Sequence, residues 1–228
     1  MKTIGLIGGM SWESTAKYYK IINETIKEQL GGLHSAKLIL YSVDFQEIEE
    51  CQSKGDWDKS AEILSDVAVK LQNAGADFIV ICTNTMHKVV PQIKNKIQIP
   101  IIHIAETTAY RLKKNNISKV ALLGTKYTMT QDFYKSIIMS EGIEVVIPDE
   151  KDIEIVNKII YDELCKGIIK KESKEHYLRI ISSLKAEGAQ GVILGCTEIG
   201  LLINQNDVDL PVFDTTEIHA KTAAMLAL

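Results

Sequence analysis

Two short polar segments of this chain contain residue types that can move a proton at a carbon atom. Thr83-Asn84-Thr85 and Cys196-Thr197-Glu198 each follow closely on a run of apolar residues. A cysteine thiol is an effective base when its pKa is lowered towards the operating pH. Hydroxyl and amide groups beside it can hold polar atoms of a substrate. The two segments therefore predict acid–base chemistry at two places in one chain.

The two segments belong to an internal repeat. Three pairs of segments match in chain order at nearly one offset, namely Ile4–Gly9 with Val120–Thr125, Ala74–Thr85 with Glu187–Glu198, and Ile99–Ile102 with Leu210–Phe213. The central pair aligns without gaps and places Thr83 opposite Cys196. A repeat of this length indicates two similar halves, each built around its own set of strands.

Short apolar runs alternate with longer amphipathic stretches along the whole chain. The predicted strands are Ile4–Ile7, Lys37–Ser42, Phe78–Cys82, Ile101–Ile104, Val120–Leu123, Glu144–Ile147, Gly191–Leu194 and Val212–Phe213. The predicted helices are Thr15–Leu30, Ser60–Asn73, Thr130–Ser140 and Lys174–Ala186, with Met86–Lys94 also helix-like. Strands that are apolar on both faces are typical of parallel sheets covered by helices, so the fold class is α/β.

We expect two parallel-sheet α/β domains related by pseudo-twofold symmetry. The first comprises residues 1–103 together with 211–228, and the second comprises residues 104–210. No Pro/Gly-rich linker separates them, so the crossing between them is short. Ligands of α/β sheets bind outside the carboxyl ends of the strands. The active site is therefore expected in the cleft between the two domains.

Racemisation of an amino acid suits such an arrangement. The Cα proton leaves one face and another proton arrives on the opposite face, so two acid–base groups must flank the substrate. Cys196 and Thr83 are the candidates for these two groups. The Thr83 hydroxyl needs activation or a bridging water, and a purely substrate-positioning role remains open. Cys82 is a weaker alternative because alternation along the strand points it into the core.

Other polar residues near the strand ends are candidates for holding the substrate. Those named from position are Ser11, Asn84, Thr85 and Thr197, and the neighbouring residues Gly9, Met10 and Glu198 are further candidates. Ser11 is also a good N-cap for the following helix, a role compatible with anion binding there. Asn84 and Thr85 have helix capping as their alternative role, and Glu198 either assists Cys196 or accepts a hydrogen bond from the substrate amine. His87 is expected to be structural.

Composition excludes several classes of function. The formal net charge is -4, which gives no basic surface for nucleic acid and no polybasic membrane signal. The longest apolar runs are of strand length, and the N-terminus lacks the apolar region of a signal peptide. The four cysteines form no CxxC pair, so neither a zinc site nor a thioredoxin-type motif is expected. A cytoplasmic chain with free thiols follows.

Three motifs together resemble the aspartate/glutamate racemase family, most nearly its aspartate racemase branch, over essentially the whole chain. They are Ile7–Ser11, Thr83–His87 and Gly195–Glu198. The resemblance implies a cofactor-independent enzyme without PLP, metal or nucleotide, a small-molecule amino-acid substrate and a homodimer. It implies that Cys196 is the intact catalytic thiol and that Thr83 occupies the other base position. It further implies that Lys166 closes over the side-chain carboxylate of the substrate.

The chain departs from the family pattern at two places. Thr83 stands where the family usually has cysteine, and relatives with this Thr/Cys pair resemble enzymes biased towards L-aspartate or L-glutamate. The arginine expected between residues 31 and 60 is absent. An acidic amino acid is therefore the expected substrate, with broader side-chain selectivity left open.

Two alternative functions remain open from the sequence. One is a related isomerase or decarboxylase that acts on a substrate other than an amino acid, for which a single cysteine suffices. The other is a non-catalytic protein that binds acidic amino acids and has lost one base. The second alternative predicts stabilisation by ligand without exchange of the Cα proton.

Overall fold

The computed structural model describes residues Met1–Leu228, which divide into two compact α/β units. The first unit comprises Met1–Ile104 and His219–Leu228, and the second comprises Ala105–Ile218. Each unit has one four-stranded parallel sheet with helices around it. No helix in the chain combines the length and the apolar character needed to cross a bilayer.

The sheet of the first unit has the strand order β2-β1-β3-β4. Its strands are β1 (Ile4–Gly8), β2 (Leu38–Ser42), β3 (Phe78–Ile81) and β4 (Ile101–Ile102). The helices between them are α1 (Trp12–Leu30), α2 (Phe45–Lys54), α3 (Trp57–Asn73), a 3-10 helix (Thr85–Val89) and α4 (Val90–Lys94). Gly8 pairs with Ser42, and Ile7 pairs with Ile81, so the ends of these strands lie side by side.

The sheet of the second unit has the equivalent order β6-β5-β7-β8. Its strands are β5 (Lys119–Gly124), β6 (Glu144–Val146), β7 (Val192–Gly195) and β8 (Val212–Asp214). The remaining helices are α5 (Ile104–Lys114), α6 (Lys126–Thr130), α7 (Asp132–Ser140), α8 (Glu150–Asp162), a 3-10 helix (Leu164–Lys166), α9 (Lys171–Ala186), α10 (Ile199–Leu202), a 3-10 helix (Gln205–Asp207) and α11 (Thr215–Ala227). The shared order confirms the predicted α/β fold and its duplication.

Apolar side chains cover both faces of the first sheet. Along β3, Ile79 and Ile81 pack with the apolar face of α3, whereas Phe78 and Val80 pack with α1 and the alanine-rich face of α11. Successive strand residues point to opposite faces, so a strand covered on both sides must be apolar throughout. This is the physical reason for the unbroken apolar runs, and it confirms the inference of a covered parallel sheet.

The helices begin earlier than the apolar pattern indicates because polar caps precede them. Helix α1 begins at Trp12 rather than Thr15, since the Ser11 side chain accepts a hydrogen bond from the Ser14 amide. Helix α3 likewise begins at Trp57, and Asp56 caps it by accepting a hydrogen bond from the amide of Lys59. The cap residues satisfy main-chain N–H groups that have no partner inside the helix.

Two predicted elements are corrected. The strand predicted at Ile101–Ile104 ends at Ile102, because α5 begins at Ile104. The helix predicted at Thr130–Ser140 is α7, which begins two residues later at Asp132, because Gln131 is extended and separates it from the short helix α6.

The division between the units is also corrected. Residues 211–228 were expected to return to the first unit, but β8 pairs in parallel with β7 in the second sheet. Val192 pairs with Val212 and Ile193 with Phe213. The first unit therefore regains the chain at His219 rather than at residue 211.

Candidate active site

In the first unit, the segments that follow β1 and β3 lie at the same edge of the sheet. The Cys82 amide donates to the carbonyl of Ile7 at 2.9 Å, which continues the pairing of the two strands. The Ser14 hydroxyl, in the first turn of α1, donates to the Cys82 carbonyl at 3.2 Å. The structure thus brings two predicted segments together, Gly9–Ser11 and Thr83–Thr85.

Gly9 shapes this edge through its backbone. Its φ of 96° lies in the left-handed region, and a Cβ there would be 2.2 Å from the Val43 carbonyl oxygen. No other residue fits such a close approach without displacing the backbone. The Gly9 amide donates to Thr15 Oγ1 at 2.9 Å, so this donor is already used within the protein. The expectation that Gly9 helps to hold the substrate is therefore narrowed to shaping the loop.

Met10 and Ser11 have different surroundings. The Met10 side chain is buried in the core that includes Ile7 and Met86, so only its main chain remains for substrate contact. Ser11 is buried and caps α1, accepting the Ser14 amide at 3.3 Å. The N-terminus of a helix as long as α1 favours a negative charge, which makes this position suitable for a carboxylate. The Met10-Ser11 peptide bond is cis.

Cys82 is excluded as an acid–base group by its position. Its side chain is fully buried among apolar residues on the face that packs against α1 and α11. Burial raises the pKa of the Cys82 thiol far above its usual value, because a thiolate has no solvation there. Thr83, the next residue, is partly exposed.

Asn84 and Thr85 are buried at the start of the 3-10 helix Thr85–Val89. The Asn84 side chain makes no capping hydrogen bond to this helix, so the structure does not support capping as its role. The two side chains lie at the strand end beside Thr83. A buried amide and a buried hydroxyl at this edge suit the recognition of a small polar group.

Three buried histidines, named here the histidine cluster, lie behind this strand end. They are His87, His103 and His219, and the ring centroids of His87 lie 4.6 Å from those of His103 and 5.6 Å from those of His219. Burial, together with the neighbouring histidines, lowers the pKa of His87 well below its usual value. Burial also lowers the pKa of His103 to about 3 and that of His219 to about 4. At neutral pH all three rings are uncharged.

In the second unit, Cys196 follows β7 and lies against a carboxylate. Its Sγ donates to Glu198 Oε2 at 2.9 Å, and both residues are buried. Burial raises the pKa of the Cys196 thiol well above its usual value, and the negative charge of Glu198 raises it further. The thiol therefore rests protonated beside a built-in proton acceptor.

Thr197 completes this small network. Its hydroxyl donates to the same Glu198 Oε2 at 2.6 Å. Since a hydroxyl has one proton to donate, Thr197 can meet a substrate only as an acceptor. As an acceptor it suits a substrate ammonium group, and its contact with substrate stays a prediction.

Lys166 is exposed at the end of the 3-10 helix Leu164–Lys166, where Gly167 turns the chain with a φ of 69°. This 3-10 helix packs against α8 and α10. Helix α10 begins at Ile199, directly after Glu198. The structure therefore places the Lys166 segment next to the helix that follows Cys196–Glu198.

The structure also shows polar residues at the second strand edge that the motifs alone do not identify. Gly124 pairs with Gly195, so Thr125 and Cys196 follow neighbouring strands. Thr125 Oγ1 and Thr128 Oγ1 lie 3.1 Å apart. The Thr215 hydroxyl donates to the Leu194 carbonyl at 2.9 Å. The internal repeat carries the signal for Thr125, since it aligns with Gly9.

Comparisons with known proteins agree with this geometry. The family model described as Asp/Glu/hydantoin racemase matches residues 7–223. The broad specificity amino-acid racemase RacX of Bacillus subtilis (strain 168) is 24% identical over 225 residues, which cover 96% of this chain and 95% of RacX.

Two solved structures are also similar along the full chain. A crystal structure from Yersinia pestis that is assigned to the Asp/Glu racemases is 57% identical, with a TM-score of 0.94, covering 100% of this chain and 99% of that one. An aspartate racemase homologue from Pyrococcus horikoshii OT3 is 40% identical, with a TM-score of 0.87 and the same coverage of both chains.

Proposed function

The chain belongs to the Asp/Glu/hydantoin racemase family and is an amino-acid racemase, and from this premise we propose how its residues exchange the Cα proton without a cofactor. The observation that carries the proposal is the contact of 2.9 Å between Cys196 Sγ and Glu198 Oε2. A thiol that rests protonated beside a carboxylate has a route for its own proton. When substrate binds, the thiol loses its proton to the carboxylate and becomes a thiolate, which is a base.

The first step uses Cys196 and Glu198 together. The Cys196 thiol transfers its proton to Glu198 Oε2, and the resulting thiolate removes the Cα proton from one face of the amino acid. The electron pair of the broken C–H bond passes into the α-carboxylate, which takes on enolate character. A thiol is thereby regenerated, and Glu198 holds the displaced proton. The return of a proton to Cα reverses these transfers.

Thr83 serves the opposite face of the same Cα. Its hydroxyl delivers a proton directly or through one water molecule, and the planar intermediate becomes the other enantiomer. Solvent water then returns a proton to the Thr83 oxygen, and Glu198 releases its extra proton to solvent, so the starting protonation state is restored. Glu198 lies two positions after Cys196 in the second segment, whereas Thr85 lies two positions after Thr83 in the first. The Thr83 face therefore has no carboxylate at this position, and proton transfer there is the slower of the two.

The substrate's charged groups are matched by groups of opposite character. Ser11 at the N-terminus of α1, with Asn84 and Thr85, holds the α-carboxylate and favours its developing negative charge. Thr197 and Glu198 accept hydrogen bonds from the α-ammonium group. Gly9 and Met10 give the loop its shape.

Lys166 selects the substrate's side chain by binding its carboxylate, which makes L-aspartate or L-glutamate the expected substrate. Residues 31–60 contain no arginine to support it, and Lys166 is exposed. The relative RacX is described as having broad specificity. The selectivity of this chain therefore extends beyond acidic side chains. We further propose a homodimer in the cytoplasm, where its four free cysteines stay reduced.

The experiment is Cα–H exchange in D2O without added cofactor. The purified protein is incubated separately with L- and D-aspartate and with L- and D-glutamate. Loss of the Cα–H signal is followed by NMR, and the enantiomers are separated by chiral chromatography. Exchange with inversion is the expected result. Prior dialysis against a metal chelator and treatment with hydroxylamine should leave the rate unchanged, since hydroxylamine traps PLP.

The other outcomes each have a meaning. Exchange of one enantiomer without inversion would remove Thr83 from the mechanism and leave Cys196 in place. Stabilisation by aspartate or glutamate without exchange would favour a binding protein. A lack of exchange and of stabilisation with all four compounds would overturn the proposal for acidic amino acids and move the search to other amino acids and to dicarboxylates.

A further inference from the structure

His87 is hydrogen-bonded to the residue proposed to serve the second face of the substrate. Its Nδ1 lies 2.8 Å from the carbonyl oxygen of Thr83, and its Nε2 accepts the amide of Ile104 at 3.2 Å. Thr83 follows β3 and Ile104 follows β4, which are neighbouring strands. One imidazole ring thus joins the ends of two strands at the edge that carries Thr83, Asn84 and Thr85.

The partners of His87 determine its tautomer. The Ile104 amide is a donor, so Nε2 must carry a lone pair. The Thr83 carbonyl is an acceptor, so Nδ1 must carry the proton. In a doubly protonated ring, the Nε2–H of His87 and the N–H of Ile104 would both be donors and would point at each other. Only the neutral Nδ1–H form satisfies both contacts.

The surroundings of His87 keep it in this form. The ring is buried, and the rings of His103 and His219 pack against it edge-on. His219 is held in turn, since its Nε2 lies 2.8 Å from the Ile102 carbonyl and its Nδ1 lies 2.9 Å from Tyr18 Oη. The same logic makes His219 a neutral Nε2–H ring that accepts from the tyrosine.

We propose that His87 is a positioning residue for the Thr83 face of the reaction. Its Nδ1–H fixes the Thr83 carbonyl, which fixes the backbone of Thr83 and the direction of the hydroxyl. His87 itself exchanges no proton with the substrate, because both ring nitrogens are bound to the protein. The inference rests on the proposed function and adds a residue whose loss should weaken one face of the reaction only.

The test uses two substitutions that each keep one contact. Asn in place of His87 has an amide group near the position of Nδ1, so H87N keeps a donor for the Thr83 carbonyl and loses the Ile104 contact. Gln reaches the position of Nε2, so H87Q keeps an acceptor for the Ile104 amide and loses the Thr83 contact. His219→Asn is the matched control, since it changes an equally buried ring of the histidine cluster that does not contact Thr83.

The readout is the ratio of net inversion to Cα–H exchange at the face that Cys196 serves, measured in D2O. We expect H87Q to lower this ratio about tenfold or more, because a displacement near 1 Å costs up to about 10²-fold in rate. Exchange at the Cys196 face should stay within about twofold of wild type. H87N and H219N should keep the wild-type ratio, whatever they cost in melting temperature.

The outcomes separate the inference from the proposed function. If wild type inverts aspartate or glutamate and H87Q keeps the wild-type ratio, the positioning role is overturned and the racemase mechanism stands. A ratio lowered equally in H87Q, H87N and H219N would show general loosening and would also overturn it. If wild type exchanges nothing, both fail together. Detection of the Nδ1–H tautomer of His87 by ¹⁵N NMR tests the geometry independently of activity.

Discussion

The ends of β3 and β7 occupy equivalent positions in the repeat but carry different chemistry. After β7, a thiol lies 2.9 Å from a buried carboxylate oxygen that also receives a hydroxyl proton. After β3, a hydroxyl is followed by an amide and another hydroxyl, with a neutral imidazole bound to the backbone behind them. In the proposed mechanism, both ends therefore transfer a proton, but only the second has a thiol and a carboxylate in contact to do so.

In the proposed mechanism, this difference divides one reaction unequally between the two halves of a duplicated fold. The two units share their strand order, and in the second unit a cysteine, Cys196, directly follows the strand β7. The first unit instead buries its cysteine, Cys82, one residue earlier and facing the core. A shift of one residue along a strand is enough to exchange an inward thiol for an outward hydroxyl.

The largest effect should follow from removing the thiol at the second strand end. Cys196→Ala should lower both exchange and inversion by about 10³-fold or more, since the base at one face is lost. Cys165→Ser is the matched control, because it removes a partly exposed thiol from the same unit. NMR of the Cα–H signal in D2O measures both variants. Full exchange in Cys196→Ala would show that Cys196 is not the base, and the second strand end would then not be the more reactive of the two.

The second largest effect should be a loss of stability in acid that is confined mainly to the first unit, because all three buried histidines belong to it. The folded pKa values of His103 and His219, about 3 and about 4, lie below the usual value of 6.5. The contribution of these two neutral rings to the free energy of unfolding is complete above pH 6.5. It falls as the pH drops below 6.5, because the unfolded chain then binds protons that the folded chain does not. The loss is on the order of 2 kcal/mol for each ring between pH 6.5 and pH 5.

Denaturant unfolding at pH 7 and pH 5 measures this loss. Hydrogen exchange should show weaker protection of β1, β3 and β4 at pH 5, with β5 and β7 less affected. Replacing His103 with Gln removes one titrating ring and should make the decline with pH shallower. Equal stability at the two pH values would show that the cluster is not held neutral in the folded protein.

A smaller effect is expected from the carboxylate at the second strand end. Glu198→Gln keeps the size of the side chain but removes the acceptor for the thiol proton, so inversion should fall about 10²-fold. The pKa of Cys196 should also fall, because the negative charge that raises it is gone. Alkylation of Cys196 by iodoacetamide should therefore begin at lower pH in this variant. An unchanged alkylation profile would mean that Glu198 does not act on the thiol.

The smallest effect is expected at the first strand end. Thr83→Cys should raise net inversion by up to about tenfold, because a thiol exchanges protons more readily than a hydroxyl. Thr83→Val should lower inversion and leave exchange at the Cys196 face intact. Chiral chromatography and NMR measured on the same sample give both quantities. A loss of inversion in Thr83→Cys would count against the assignment of opposite faces.

The repeat and the apolar pattern predict the architecture because the central strands of each sheet are buried on both faces and are therefore almost entirely apolar. They predict the eight strands, and the repeat aligns Thr83 with Cys196. The apolar pattern alone fails at the last strand, since Val212–Phe213 has the same pattern in either sheet, whereas the repeat aligns it with Ile101–Ile102 and so indicates the second sheet. Strand pairing is a non-local contact that a single apolar run does not encode.

The site is predicted less completely than the fold, because the sequence does not show which hydrogen-bonding groups are already bound within the protein. Residue type identifies Thr197 as a polar group and Gly9 as a flexible one near a substrate. It does not reveal that the Thr197 hydroxyl already donates to Glu198 and that the Gly9 amide already donates to Thr15. The spacing of four residues between Thr83 and His87 does carry a signal, because it suits a side chain that reaches back to a carbonyl. The second partner of His87, Ile104, is distant in sequence and has no such signal.

The protonated resting state of Cys196 has a consequence for the durability of the enzyme. Peroxides attack the thiolate form of cysteine and drive it to sulfenic and then to irreversible acids. A thiol kept neutral by burial and by the charge of Glu198 is a poor target for this damage. We therefore expect Cys196 to resist oxidation by peroxide in the resting protein.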